Sequence, residues 1–311
     1  MAPTRPKAIL SLHRTSFERM CGSSAVVDCP PTAVSAAYPS CDEHASGGSL
    51  AVTYRNIPRP AGAANWTKTS QWVGWVNDEG LAPSVAPALE GTCAFCYGAV
   101  GTRFDGETFP TCQHCPTYRG HITAVVPAVY SVDSGLESLL HRYKDFGIHY
   151  RWMSAPIGSL AYDFFARHLS CIEERYGEID IFSVAPQGNS GRGFDHLGKV
   201  LSTVSGWPMD WDTDLLVKVR QKQDIRGTID RSCYKLNDGK SVAKKNVLLF
   251  DDTWTSGSTL ASAAATLKRN SARSVVAVTV GRQVSDWGTG PEIKEAIRYR
   301  RYDPERCVIC G

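Results

Sequence analysis

NVLLFDDTWTSGST, residues 246–259, is the stretch that sets the reading of the whole chain. Val247 to Phe250 form an apolar run of the kind that suits a buried parallel strand. The run stops at two carboxylates, Asp251 and Asp252, and gives way to a turn rich in hydroxyls and glycine. After Thr259 comes LASAAATLKRN, which has helical composition and apolar spacing. Strand, acidic edge, phosphate-sized loop and helix N-terminus thus follow in series. Backbone N–H groups in such a loop, with the helix dipole behind them, favour a phosphate dianion. Thr255, Ser256, Ser258 and Thr259 add side-chain donors, and Gly257 permits a positive φ and close backbone approach. The aspartates stand where two vicinal hydroxyls could donate to them. A sugar phosphate fits all these features at once. A surface Asp-Asp turn capping a helix would explain Thr259 but not the full pattern.

At 311 residues the chain has room for one or two domains around a sizeable core. A net charge of +3 announces neither a nucleic-acid nor a membrane partner. No apolar run approaches the ~18 residues needed to span a bilayer, and the N-terminus lacks the apolar segment of a signal peptide. Eleven cysteines, with CxxC pairs among them, point to a reducing compartment and metal-bound thiolates rather than a disulfide framework. The expectation is a soluble cytoplasmic protein with no membrane insertion.

Residues 1–60 are dominated by Ser, Ala, Pro and Gly, hold no period, and read as a disordered or loosely packed leader. Residues 61–90 carry Trp66, Trp72 and Trp75, the last two at helical spacing, and read as a docking segment rather than a base-stacking one. In 91–120, Cys93-Ala-Phe-Cys96 and Cys112-Gln-His-Cys115 flank a turn-rich spacer of fifteen residues. Within it Thr102–Phe104 and Glu107–Phe109 can pair as a short hairpin. Two such knuckles suit tetrahedral Zn²⁺ held by four thiolates, as in a zinc ribbon. His114 or His121 could replace one cysteine, but four cysteines make that unnecessary. No position is left for water, so the metal should be structural. A thioredoxin-like redox pair is the rival reading.

From Ile122 the pattern turns α/β. Residues 121–132, 179–185, 215–219, 246–250 and 274–280 read as strands, and residues 136–143, 157–176 and 197–204 as helices, with a polar stretch to Lys245. Alternation of this kind implies a doubly wound, mainly parallel sheet over residues 121–290, with ligands bound beyond the carboxyl ends of its strands. Gly193 to Lys199 nearly matches a nucleotide-binding P-loop, but Val200 replaces the hydroxyl needed on Mg²⁺. Residues 291–311 form a basic tail. Arg298, Arg300 and Arg301, with Tyr299 and Tyr302, could meet nucleic-acid phosphates or form a solvated helix face. Cys307 and Cys310 make a third CxxC. A second metal completed by Cys21, Cys29 or Cys41, a metal shared between subunits, and exposed thiols are the alternatives. Cys171 and Cys233 read as ordinary core or partly buried residues.

The 246–259 stretch resembles the phosphoribosyl-pyrophosphate (PRPP) motif of type I phosphoribosyltransferases: four apolar residues, two acids, two variable residues, then Thr-Ser/Thr-Gly-x-Thr. The order CAFC…CQHC, HRYKDFG, APQGNSGRGFDH and LLFDDTWTSGST, covering Gly91 to Arg282, further resembles the ComF family. These are competence-protein-F-like phosphoribosyltransferases related to amidophosphoribosyltransferases. The resemblance implies a type I phosphoribosyltransferase fold preceded by a small zinc ribbon. It also implies PRPP and Mg²⁺ as ligands, with Asp251 and Asp252 on the ribose hydroxyls and Thr255, Ser256, Gly257, Ser258 and Thr259 on the 5′-phosphate. The family's Arg-Gly-Phe-Asn stands here as Arg192-Gly193-Phe194-Asp195, and its later Arg, Gln, Arg stretch is only loosely echoed by Arg220, Gln223 and Arg231.

Pyrophosphate departure needs positive charge and N–H donors. The 186–195 loop is the expected source, with Arg192 as the cation and Lys144 as a further one. Purine-salvage enzymes place an aspartate base where Thr255 stands, so a purine N7 acceptor is disfavoured and the acceptor stays open. The alternative is a non-enzymatic adaptor on the same fold. It would sense PRPP or a nucleotide in DNA uptake, and its ribbon and tail would meet single-stranded DNA or a DNA-processing protein. A homo-oligomer is compatible with either reading.

Overall fold

The computed structural model describes residues 54–87, 89–145, 147–186, 195–220 and 227–311. Seven strands and seven α-helices are described. They are α1 (Thr69–Asp78), α2 (Cys115–Tyr118), β1 (Ala124–Ser131), α3 (Leu136–Asp145), α4 (Ser154–Tyr176), β2 (Ile181–Val184) and α5 (His196–Leu201), followed by β3 (Trp211–Asp212), β4 (Leu216–Lys218), β5 (Tyr234–Leu236), β6 (Asn246–Trp254), α6 (Ser258–Arg269), β7 (Ser274–Gln283) and α7 (Gly290–Ile297). The fold is mixed α/β. Its main sheet has the order β1-β7-β6-β2-β3 with every pair parallel.

β6 and β7 are buried along almost their whole length, which is why they read as unbroken apolar runs. The period-2 alternation of a strand divides them between two cores. Val247, Leu249, Val275 and Ala277 face α6 through Leu260, Ala261 and Ala264. Leu248, Phe250, Val276 and Val278 face α4 through Phe164 and Phe165. Burying each large side chain contributes about 1.5–3 kcal/mol. The buried alanines of α6 let that helix lie close to the sheet, and Lys268 and Arg269 in its last turn complement its dipole.

The connection after β2 leads through α5 outward to β3, whereas the connection after β6 leads through α6 the other way to β7. The adjacent carboxyl ends of β2 and β6 therefore form a topological switch point, the usual place for a crevice in an open α/β sheet.

Several elements differ from the sequence expectation. The strand expected at 215–219 forms β4, which pairs antiparallel with β5 outside the main sheet. Both β5 and the two-residue edge strand β3 fall in polar or mixed sequence without a clear period. Residues 54–60, grouped with the leader, are packed: Ile57 is buried in the α4 core, and Arg142 donates to the carbonyls of Tyr54 and Arg55. Residues 1–53 lie outside the described residues. Trp72 and Trp75 of α1 pack against Trp152, with ring centroids at 6.1 and 5.9 Å. Among the described residues no helix is long and apolar enough to cross a membrane.

Candidate functional site

β6 does not stop at its acids. Its pairing with β7 continues through Asp251 opposite Thr279 to Trp254 opposite Arg282, so both carboxylates lie inside the ladder. Successive strand residues point to opposite faces. Asp252 turns toward α3, where it accepts a short hydrogen bond from the Tyr143 hydroxyl and one of 2.7 Å from Lys144 Nζ. His196 Nε2 at the start of α5 stands 3.7 Å away. Burial works to raise the Asp252 carboxyl, but the Lys144 ammonium and His196 outweigh it and hold it below the ordinary carboxylate range. Asp251 lies on the side of Tyr234, whose hydroxyl its charge helps to push up, and its Oδ1 accepts from the Asp252 N–H at 2.9 Å. Burial and the neighbouring Asp252 charge raise the Asp251 carboxyl to about 8.

After Trp254 the chain turns through Gly257 at φ +77°, and α6 begins at Ser258. This position needs glycine for two reasons. The φ is left-handed, and an added Cβ would sit 2.1 Å from the Trp254 ring. Ser256 and Ser258 hydroxyls lie 3.1 Å apart. Thr255, Ser256, Ser258 and Thr259 line a cleft of about 1070 Å³, near the upper end of typical small-ligand sites. Asp251 and Asp252 do not line it; they are buried within β6, 7% and 1% exposed. The opposite wall includes Cys112, Gln113 and His114 of the second knuckle, with Glu137 and His141 of α3, Lys218 of β4 and Gln283 of β7. Arg192 lies outside the described residues, as does Gln223.

Cys93, Cys96, Cys112 and Cys115 bring their sulfurs within 4.8 Å of one another. Three are buried and Cys112 is half-buried, and the spacer closes through the Thr102–Thr108 bridge. Such a donor set suits a metal such as zinc. A second observation supports the fit. Arg282, at the end of β7, is buried, and among the described residues no carboxylate pairs with it. Its Nη2 instead donates to Cys96 Sγ at 3.3 Å and its Nε to the Cys96 carbonyl at 2.7 Å. A divalent ion with four thiolates carries a net negative charge, which is what a buried guanidinium requires. Hydrogen bonds from Cys112 and Cys115, with Arg282 close by, hold the Cys96 thiol well below its usual range. His114 and His121 are not in this cluster: His114 stacks on Tyr118, and His121 lies 3.4 Å from Arg231.

Arg282 also donates through Nη1 to the carbonyls of Trp254 and Thr255, at 3.1 and 3.3 Å. One side chain thus joins the four-cysteine cluster to the hydroxyl-rich loop. Gly98 makes room for it, since an added Cβ there would meet the guanidinium at 1.6 Å. Sequence reasoning assigned no role to Arg282 or Glu137, for which no local signal exists, and none to Tyr143 or His196, although both lie in the quoted HRYKDFG and APQGNSGRGFDH stretches. The basic tail differs from expectation at Tyr302, which is buried and donates to Asp163 at 2.8 Å, leaving Tyr299 exposed.

No family model matches the chain, and no curated protein does. Among solved structures it is similar to a hypoxanthine phosphoribosyltransferase from Staphylococcus aureus at 18% identity, over 48% of this chain and 88% of that one. The TM-score is 0.26.

Proposed function

We propose that the chain is a ComF-like phosphoribosyltransferase that binds PRPP with Mg²⁺ and transfers its phosphoribosyl group to an acceptor, releasing pyrophosphate. The observation that carries this reading is the 255–259 loop. It presents hydroxyls and the N-terminus of a 12-residue helix to a cleft at the carboxyl ends of parallel strands, and it follows two buried acids within a few residues. Thr255 to Thr259 would hold the 5′-phosphate. Asp251 and Asp252 would accept from the ribose hydroxyls, Asp252 exchanging Lys144 or Tyr143 for its new partner. The bond from C1 to pyrophosphate would break through an oxocarbenium-like state as the acceptor bond forms. Positioning and fixed charge would supply most of the acceleration. Mg²⁺ would neutralise charge on the pyrophosphate. Arg192 remains the proposed cation for that leaving group, in a 121–290 transferase domain following a 91–120 ribbon. Zinc in the Cys93, Cys96, Cys112 and Cys115 set is structural in this reading.

Calorimetric titration of the zinc-loaded protein with PRPP, with and without Mg²⁺, tests it. Magnesium-dependent binding that disappears in D251A/D252A while zinc stays in place is the expected result. PRPP affinity unchanged in that double variant would end the assignment.

A second reading, a nucleic-acid or protein adaptor, has one observation in its favour. The ribbon tip exposes Phe104 and Phe109, with the Arg103 guanidinium 5.7 Å from the Phe109 ring. Exposed aromatics beside a cation can stack on single-stranded bases. Salt-sensitive single-strand DNA binding lost in F104A/F109A would favour this reading, and no binding at low salt would count against it.

A further inference from the structure

The chain ends in Cys307-Val-Ile-Cys310-Gly311, which folds back onto α4 beside His168 and Cys171. We propose that these four side chains form a second structural zinc site of Cys₃His composition, which clamps the C-terminal segment to α4. The inference stands independently of the transferase reading.

The ligand atoms of His168, Cys171, Cys307 and Cys310 all lie within 4.8 Å of one another. The Sγ atoms of Cys307 and Cys310 are 3.2 Å apart, and His168 Nδ1 is 3.7 Å from both Cys171 Sγ and Cys310 Sγ. A tetrahedral ion with bonds of about 2.0–2.3 Å separates its ligand atoms by about 3.3–3.8 Å. His168 and Cys171 are three residues apart on α4 and so share one face of the helix. The histidine is also set in the ligating tautomer. Its Nε2 lies 3.0 Å from the Pro304 carbonyl, an acceptor only, so Nε2 carries the proton and donates. Nδ1 is left with its lone pair toward the sulfurs, as is usual for a metal-bound histidine whose other ring nitrogen donates to a carbonyl.

The turn itself repeats one from the ribbon. After Cys93-Ala-Phe-Cys96, Tyr97 adopts φ +60° and donates its N–H to the Cys93 carbonyl at 2.9 Å. After Cys307-Val-Ile-Cys310, Gly311 adopts φ +93° and donates to the Cys307 carbonyl at 3.0 Å. In the C-terminal turn the N–H groups of Ile309 and Cys310 also point at Cys307 Sγ, each at 3.4 Å, and would stabilise a thiolate. A Cys307–Cys310 disulfide would need the sulfurs at about 2.05 Å and would leave His168 Nδ1 and Cys171 without a ligand to share. Four protein donors leave no open position, so the site is a staple rather than a catalytic centre. It gives the half-buried Cys171 a ligating role that the sequence reading did not assign, and supplies partners for the third CxxC other than Cys21, Cys29 or Cys41, which lie outside the described residues.

The test is metal analysis of the full-length protein purified under reducing conditions without added metal. Two zinc ions per chain are expected, falling to one in C307S/C310S and in C171S. One ion per wild-type chain, or two retained by C307S/C310S, would overturn the proposal. A second measurement needs no variant. Thiol alkylation read by mass spectrometry should leave Cys307 and Cys310 protected in the metal-loaded wild-type chain and reactive after chelation. Equal reactivity in both states, or a Cys307–Cys310 disulfide in the freshly purified reduced protein, would also overturn it.

Discussion

Arg282 Nη2 donates to Cys96 Sγ over 3.3 Å, and the same guanidinium holds the carbonyls of Trp254 and Thr255. The four-cysteine cluster and the 255–259 loop are therefore fastened to one buried cation, whose charge the thiolates of a metal-loaded cluster would balance. Stripping a metal from the four cysteines would remove that balance and free Cys112 at the cleft wall.

Zinc removal should weaken PRPP binding about tenfold or more, about 1.4 kcal/mol, through the Arg282 link and through Cys112, which lines the cleft. Calorimetry on zinc-loaded and chelated protein reads this directly. Equal affinities would mean that the Arg282 link carries no coupling.

Asp251 supplies a pH dependence whose sign can be worked out. In the folded chain it keeps its proton to about 8, through burial and the Asp252 charge, whereas the unfolded chain releases it near ~3.9. Between those values the folded state binds more protons, so stability falls as pH rises from about 4 to about 8. Asp251→Asn should remove that slope, raising the melting temperature of the ligand-free protein by several degrees near the upper value while leaving it unchanged near the lower. Thermal melts across this range check it, and parallel curves for both proteins would refute it.

In the Lys144–Asp252 pair the carboxylate is buried and the lysine half-buried, with side chains 2% and 16% exposed. Lys144→Met should cost about 3–5 kcal/mol, because it strands a buried carboxylate. Adding Asp252→Asn to it should return most of that loss. Urea denaturation of the two single variants and the double gives the coupling, and simple additivity would show that the pair does not interact.

Gly257→Ala combines a left-handed φ with a clash against the Trp254 ring. The conformational penalty alone is about 1–2 kcal/mol, and relieving the clash must move the loop. PRPP affinity should drop at least about tenfold while the zinc content holds. A variant with wild-type affinity would show that the loop geometry is not what binds phosphate.

Much of this protein is legible in its sequence because the signals are local. The apolar run of β6, the hydroxyl-rich turn, the alanine-rich helix behind it and the two CxxC knuckles each lie within a few residues, where strand period, helix spacing and ligand spacing apply. The α/β alternation followed from the same signals, and with it the parallel sheet. Short elements escaped: β3 and β5 have two and three residues and are held by their partners rather than by any pattern of their own.

What only the tertiary structure decided are meetings between residues far apart in the chain. Pairing with β7 extends β6 past both acids and so turns Asp251 and Asp252 to opposite faces. Tyr143 and Lys144 reach Asp252 from more than a hundred residues away. Arg282 joins the ribbon to the loop, and His168 and Cys171 meet Cys307 and Cys310 only because the chain end returns to α4. Such contacts follow from how sheet and helices pack, and packing leaves no period in the sequence from which they could be read.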